Sequence, residues 1–135
     1  MAKVKKINHV AVVVEDIQSS LAFWEDALGI KMEKLEDVPA QKAKVAFLPV
    51  GEGELELVQP TDPESGTGKF LKERGGGMHH LCLEVDDIVG MLAQMKEKGV
   101  SLINDVPLVM EGRKIAFIHP KSASGVLVEL YELTN

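Results

Sequence analysis

Residues 7–17 read INHVAVVVEDI, and residues 78–88 read MHHLCLEVDDI. Both are apolar, strand-like runs that carry a histidine at the third position and end in acids followed by isoleucine. The second run lies 71 positions after the first. A polar histidine at the same place in two apolar runs indicates an internal duplication.

The similarity continues through one predicted helix in each copy. Asp16 and Asp87 stand where a side chain accepts hydrogen bonds from the first N–H groups of a helix. Gly29 and Gly99 then predict the ends of these helices. Between these signals, apolar residues recur at helical spacing, namely Ile17, Leu21, Trp24 and Leu28 in one copy and Ile88, Leu92 and Met95 in the other.

Each predicted helix is followed by about three strands, so that each copy reads βαβββ. The clearest strands are 45–48 and 54–58 in the first copy and 115–118 and 126–130 in the second. The two modules, about 3–60 and 76–135, are joined by a polar connector, 61–75, with a short helical piece at 69–74. Because a lone βαβββ module leaves one face of its sheet uncovered, we expect a single α+β domain over 1–135 in which the modules pair into a cupped, mostly antiparallel sheet.

Composition excludes several classes of protein. Twenty-one acids against fifteen bases give a formal charge of −6, which argues against a nucleic-acid-binding protein. The apolar runs are much shorter than the roughly 20 residues that a membrane-spanning helix needs. A single cysteine, Cys82, excludes an internal disulfide and fits a reducing compartment. We therefore expect a cytoplasmic protein without a membrane or nucleic-acid partner.

Polar side chains interrupt the apolar strands at related places in both copies. Because strand side chains alternate between faces, His9 shares a face with Ala11, and His80 shares one with Cys82. Glu56 and Glu129 lie in the last strand of each module. The alternative that these carboxylates face solvent stays open, above all for Glu56 in its acidic stretch.

Pairing of the modules would bring these two imidazoles and two carboxylates to a common centre. Such a donor set suits a divalent first-row ion with open positions for water or substrate. A structural zinc site typically contains several cysteines, and this chain has only one. The pattern therefore predicts a catalytic metal.

Four segments in family-like order carry a resemblance to a known family. They are Asn8–Ala11, Gly76–His80, His119–Ser122 and Gly125–Leu130. With them the chain resembles the vicinal-oxygen-chelate superfamily, and within it the methylmalonyl-CoA epimerases. The resemblance implies metal ligation by the four residues His9, Glu56, His80 and Glu129. It also implies a homodimer and one divalent ion per site, with Co²⁺ favoured and Zn²⁺, Ni²⁺, Mn²⁺ or Mg²⁺ open.

The implied reaction inverts the α-carbon of an acyl-CoA thioester through an enolate. Glu129 is the preferred base, and Glu56 or a water is the candidate for the opposite face. Several relatives carry a second glutamate at the position of Val45, and this chain lacks it.

Other assignments within the site stay open. Gln59 competes with Glu56 as an oxygen ligand, and His79 competes with His80, although the repeat favours Glu56 and His80. His119 is a candidate for the lining of the site. Three basic residues are candidates to contact the CoA phosphates, and these are Arg113, Lys114 and Lys121.

Three other functions compete with the epimerase. Glyoxalase I would use much the same ligands, but the tail HPKSASGVLVEL differs from the Asp-Pro-Asp-Gly type typical of glyoxalases. A drug-binding protein of the bleomycin-resistance type usually lacks the full ligand set. An extradiol dioxygenase would need iron with two histidines and one glutamate, so the fourth ligand counts against it.

Overall fold

The structure is a computed structural model that describes residues 1–134. Within that range both copies have the predicted order of strand, helix and three strands, which confirms the α+β class. None of the described helices is long and apolar enough to cross a membrane. The elements are β1 Val4–Val13, α1 Ile17–Leu21 with a π-helix Ala22–Ala27, β2 Lys34–Val38, β3 Ala43–Val50, β4 Gly53–Pro60, α2 Gly66–Arg74, β5 Gly77–Val85, α3 Ile88–Glu97, β6 Leu108–Met110, β7 Arg113–Ile118 and β8 Leu127–Leu133.

Strand pairing follows the order β2-β3-β4-β1-β5-β8-β7-β6. In each copy the first strand runs parallel to the last, β1 with β4 and β5 with β8. The remaining pairs within each copy are antiparallel, as the sequence predicts. By its contacts the chain divides into a first unit, His9–His79, and a second unit, Met1–Asn8 with His80–Asn135.

The first unit has apolar side chains on both faces of its strands. On one face, Ile17 and Leu21 of α1 pack against strand residues that include Leu48 and Leu57. On the other face, Phe70 and Leu71 of α2 pack against a second cluster, made of Ala11, Val13, Ala43, Val45 and Val58. The connector helix thus covers the strand face that carries His9.

The helix α2 is longer than the sequence predicts. The helical piece expected at 69–74 begins at Gly66, because the hydroxyl of Ser65 accepts a hydrogen bond from Gly68 N at 3.1 Å. This is an N-cap, and it adds one turn to the predicted helix.

The second unit has one apolar and one more polar strand face. Ile88, Met91 and Leu92 of α3 pack against a cluster that includes Ala116 and Leu130. The opposite face presents His80, Glu84 and Glu129 among its side chains, and two of these are among the most buried polar residues of the described chain. A buried carboxylate requires a compensating partner, so this face is where chemistry is expected.

The predicted helix caps are confirmed in both copies. Asp16 accepts a hydrogen bond from Ser19 N, and Asp87 accepts one from Gly90 N, each at 3.0 Å. Gly29 and Gly99 have φ of +87° and +80°, the left-handed conformation in which glycine commonly ends a helix.

The predicted apolar stripe of the first helix is wrong at its end, because Leu28 is 52% exposed. The stretch from Asp16 to Gly29 is one residue longer than that from Asp87 to Gly99. A π-helix absorbs this extra residue, and Leu28 N donates to Phe23 O five residues earlier at 2.8 Å. The wider turn rotates the last residues away from the stripe.

Candidate functional site

In the first unit, the register of two parallel strands brings a histidine to a glutamate. Ala11 of β1 pairs with Glu56 of β4, and His9 precedes Ala11 by two residues on the same face. Because alanine is small, the imidazole reaches the carboxylate, and His9 Nδ1 lies 3.4 Å from Glu56 Oε2. The two side chains are 2% and 15% exposed.

The second unit repeats this register with different side chains. Cys82 of β5 pairs with Glu129 of β8, and His80 precedes Cys82 by two residues. His80 Nε2 lies 3.1 Å from Glu129 Oε1, with side chains 15% and 7% exposed. The structure thus brings the four predicted residues together as two His–Glu pairs, one in each unit.

A phenylalanine flanks each carboxylate on the antiparallel side. Phe47 pairs with Glu56, and Phe117 pairs with Glu129. The Phe117 ring also meets the His80 ring edge to face, at 6.1 Å between centroids. Apolar walls of this kind lower the local dielectric constant, so charges inside interact more strongly than in water.

The spacing within each pair suits neighbouring ligands of one metal ion. Two donor atoms each about 2.1 Å from an ion lie about 3.0 Å apart at 90° and about 3.4 Å apart at 109°. The two measured distances, 3.1 and 3.4 Å, fall in this range. The longer one exceeds an ordinary N–H···O hydrogen bond. Imidazole nitrogen and carboxylate oxygen are also the donors that a first-row divalent ion accepts, so the residues fit the expected metal.

The rival ligands Gln59 and His79 have other roles in the structure. The Gln59 side-chain oxygen accepts a hydrogen bond from Ile17 N, the first amide of α1, at 2.8 Å. In the second copy the carboxylate of Glu132, which was not a candidate ligand, accepts a hydrogen bond from Ile88 N of α3, also at 2.8 Å. The ring of His79 packs edge to face on Phe70 at 5.0 Å.

Val45, the position at which the family resemblance implies a glutamate in several relatives, is buried at 2% exposure. It pairs with Val58 and belongs to the cluster that packs against Phe70 and Leu71. The side chains that pack around this position are therefore apolar.

The candidate CoA contacts differ in their positions. Arg113 and Lys114 are neighbours on β7 and therefore point to opposite faces. His119 caps a short 3₁₀ turn, Pro120–Ser122, where its Nδ1 accepts a hydrogen bond from Lys121 N at 3.0 Å. His119 is thus engaged in the turn through one ring nitrogen.

Sequence reasoning assigned no role to Glu84, which is 5% exposed. Its carboxylate lies 3.5 Å from Lys5 Nζ and accepts a hydrogen bond from Asn8 Nδ2 at 3.2 Å. The available signal was the alternation of the strand, which puts Glu84 on the face of His80 and Cys82.

Comparisons with known proteins identify the family of this chain. Residues 8–117 match the Glyoxalase/Bleomycin resistance protein/Dioxygenase superfamily. The mitochondrial methylmalonyl-CoA epimerase of Mus musculus is 37% identical over 130 residues, which cover 95% of this chain and 73% of the relative.

Solved structures give the same result. The methylmalonyl-CoA epimerase of Mycobacterium tuberculosis superposes with a TM-score of 0.85 at 32% identity, over 98% of this chain and 90% of the other. A methylmalonyl-CoA epimerase solved in complex with methylmalonyl-CoA and NH4+ superposes with a TM-score of 0.85 at 29% identity, over 98% and 96% of the two chains. This chain therefore belongs to the Glyoxalase/Bleomycin resistance protein/Dioxygenase superfamily and, within it, to the family of the methylmalonyl-CoA epimerases.

Proposed function

We propose that this chain is an enzyme that interconverts the R and S forms of methylmalonyl-CoA. The observation that carries the proposal is the repeated His–Glu pair, His9 with Glu56 and His80 with Glu129. Relatives that bear the epimerase name, and a related structure that holds methylmalonyl-CoA, support the choice of substrate.

We propose that the two pairs together hold one divalent metal ion, with cobalt favoured among the first-row ions. Two imidazoles and two carboxylates leave open coordination positions for substrate oxygens. When bound, such an ion withdraws electron density from the thioester and carboxylate oxygens and so makes the α-proton more acidic.

The two carboxylates are proposed to move the proton. Glu129, 7% exposed and flanked by Phe117, removes the α-proton and becomes a neutral carboxylic acid. Inversion then requires that a proton return to the opposite face of the planar enolate, and we assign this step to Glu56. General acid–base catalysis by a positioned carboxylate typically contributes about 10²–10⁴-fold to a rate.

The apolar surroundings of Val45 favour Glu56 for the second role. A carboxylate at position 45 is absent from this chain, and Val58 and Phe70 belong to the cluster around the valine. Glu56 lies on the neighbouring strand and faces the same side, because its partner Phe47 is two residues from Val45. It is therefore the carboxylate nearest in register to the missing one.

Deuterium uptake at the α-carbon of methylmalonyl-CoA in D₂O tests the proposal. We expect rapid exchange of both epimers with the metal-loaded protein, and a strong loss of exchange for one epimer in each of Glu129→Gln and Glu56→Gln, because each variant keeps the carboxylate that faces the other epimer. Glu132→Gln is the matched control, since it keeps an oxygen to accept the Ile88 N–H, and it should exchange like the unmodified chain. Normal exchange in both active-site variants would overturn the assignment.

The same preparation also separates the epimerase from a glyoxalase-type isomerase. We expect no isomerisation of the hemithioacetal formed by glutathione and methylglyoxal. Turnover of that compound without α-proton exchange on methylmalonyl-CoA would replace the proposed function by the glyoxalase reaction.

We also propose a homodimer in the cytoplasm. The family resemblance supports the dimer, and the use of a single cysteine, Cys82, supports a reducing compartment. Light scattering after size-exclusion chromatography should give twice the 14.7 kDa of one chain, and a mass of 14.7 kDa would contradict the dimer.

A further inference from the structure

Arg113 has a hydrogen-bond donor for which the structure offers no acceptor. Its Nε is buried, and among the described residues no atom accepts a hydrogen bond from it. A buried donor without an acceptor costs free energy, and the cost is larger for a charged group. An arginine held in this way is suited to an acceptor that arrives from outside the protein.

The guanidinium of Arg113 is held over an aromatic ring. Its Cζ lies 5.4 Å from the centroid of the Tyr131 ring, which is the geometry of a cation–π interaction. This contact holds the planar fork of the side chain beside the Tyr131 ring. A planar fork of N–H donors matches a carboxylate or a phosphate.

Arg113 lies on the strand face that carries the second His–Glu pair. On β7 it is four residues from Phe117, the partner of Glu129, and strand alternation puts both on one face. Tyr131 follows Glu129 by two residues, roughly 7 Å along β8. Tyr131, which contacts the guanidinium, is thus the next residue after Glu129 on this face of β8.

A buried acid on the same strand face, Glu84, already has a cation. Glu84 pairs in register with Tyr131, but its carboxylate is bound by Lys5 at 3.5 Å and by Asn8 at 3.2 Å. Lys5 thus supplies the positive charge that Glu84 needs. The positive charge of Arg113 is therefore not needed to compensate Glu84.

We infer that Arg113 binds an anionic group of the substrate. The inference rests on the proposed epimerase function and extends it to recognition of the acyl-CoA. Methylmalonyl-CoA carries anions at two places, the carboxylate beside the reacting carbon and the phosphates of the nucleotide, and both present the same oxygen chemistry to a guanidinium. Three ligands separate the two sources: malonyl-CoA, malonyl-pantetheine without nucleotide phosphates, and acetyl-CoA without the carboxylate.

The experiment measures the Kd of the metal-loaded protein for these ligands by isothermal titration calorimetry. Arg113→Gln removes the charge and the fork, and Arg113→Lys keeps the charge alone. Lys114→Gln is the matched control, because it makes the same charge change on the opposite face, beside Glu132. Thermal melts of all variants confirm that each one is folded before it is titrated.

We expect Arg113→Gln to weaken binding by about 10- to 100-fold, Arg113→Lys by less, and Lys114→Gln by under about twofold. A loss for malonyl-CoA and malonyl-pantetheine, but not acetyl-CoA, assigns Arg113 to the carboxylate. A loss for malonyl-CoA and acetyl-CoA, but not malonyl-pantetheine, assigns it to the phosphates. Unchanged affinity of Arg113→Gln for all three ligands overturns the inference.

The two proposals fail in different ways. An unmodified chain that binds these ligands but does not exchange the α-proton of methylmalonyl-CoA contradicts the proposed function and leaves the anion site standing. An unmodified chain that exchanges the proton, together with an Arg113→Gln variant that binds normally, contradicts only the anion site.

Discussion

The two units contain the same His–Glu pair, but the residues that follow the pair on the same strand face differ in polarity. In the first unit the next residues on the face are apolar, with Val13 and Val58 packed under Phe70. In the second unit the corresponding positions are Glu84 and Tyr131. The duplication thus kept the register that joins histidine to glutamate, and the surroundings diverged.

Burial within the two pairs is reversed. In the first unit the histidine is the more buried partner, with His9 at 2% and Glu56 at 15%. In the second unit the glutamate is the more buried partner, with Glu129 at 7% and His80 at 15%. The two pairs contain the same residue types but differ in which partner is buried. This difference is consistent with the different roles in proton transfer that we propose for the two carboxylates.

Replacement of the carboxylate in either unit is expected to have the largest effect, which is a loss of epimerisation rate. Glu129→Gln and Glu56→Gln should each lower the rate of epimerisation about 10³-fold, because each removes one acid–base group. In D₂O, each variant should still exchange the α-proton of the one epimer whose proton faces the surviving carboxylate. Mass spectrometry of the R and S substrates, incubated separately, reads this out.

Two other results would break the comparison. If both variants lose exchange for both epimers equally, the two carboxylates do not act on separate faces. If Glu56→Gln keeps full epimerisation, the first unit supplies no acid–base group.

Removal of matched core leucines tests whether the two units contribute equally to stability. Leu57 and Leu130 are both fully buried, and they pair with Ala46 and Ala116 respectively. Each change to alanine should lower the free energy of unfolding by about 3 kcal/mol, through lost apolar contact and the cavity left behind.

Urea denaturation followed by circular dichroism measures both values. Leu133→Ala is the control, since Leu133 is 55% exposed and its loss should be almost neutral. A difference of more than about 2 kcal/mol between the two core variants would show that one unit bears most of the stability.

Replacement of Gln59 and Glu132 tests a smaller contribution to stability, which is a hydrogen bond found at the start of a helix in both units. Each side chain accepts a hydrogen bond from the first amide of a helix, Ile17 N or Ile88 N. Gln59→Ala and Glu132→Ala should each cost about 1–2 kcal/mol, because that amide loses its acceptor. Neither change should reduce the amount of bound metal, and loss of the ion in Gln59→Ala would restore Gln59 as a ligand.

The smallest expected effect is at the helix cap of the first unit. Hydrogen bonds from the Ser19 hydroxyl, and then from its backbone N–H, hold the pKa of Asp16 below its usual value. A lowered pKa means that the charged cap stabilises the fold above the usual carboxyl pKa of about 3.9 and loses this effect as the pH falls through the lowered pKa. Asp16→Ala should therefore lower the Tm by a few degrees at neutral pH.

Melting curves at a series of pH values follow this difference. The gap in Tm between the unmodified chain and Asp16→Ala should narrow below about pH 4 as the carboxyl group is protonated. Asp87→Ala is the comparison in the second unit, where Gly90 replaces Ser19 and brings no hydroxyl. If the Tm difference between the unmodified chain and Asp16→Ala does not depend on pH, the charge of Asp16 is not its cause.

Much of the fold follows from spacing in the sequence. The order of elements, the caps at Asp16 and Asp87, and the glycine stops at Gly29 and Gly99 are all confirmed. These signals are local, so neighbouring residues suffice to predict them. The π-helix in the first copy was missed, although the extra residue before Gly29 was visible as the signal for it.

Only the part of the site that is repeated in both copies, the histidines and glutamates, could be predicted from the sequence. Histidine and glutamate at matching positions predicted a common centre of four residues, and the structure brings His9 to Glu56 and His80 to Glu129. Which basic residue shares a face with Glu129 was beyond the sequence, because it depends on the register that joins Phe117 to Glu129. That register distinguishes Arg113 from Lys114, and the two cannot be told apart by composition.

The central proposal is that His9, Glu56, His80 and Glu129 hold a single divalent ion. Inductively coupled plasma mass spectrometry, after metal loading and gel filtration, counts the ions per chain. We predict one ion per chain in the unmodified protein and near-complete loss of it in both His9→Ala and His80→Ala. Two ions per chain, or full retention of the ion when either histidine is removed, would contradict the account.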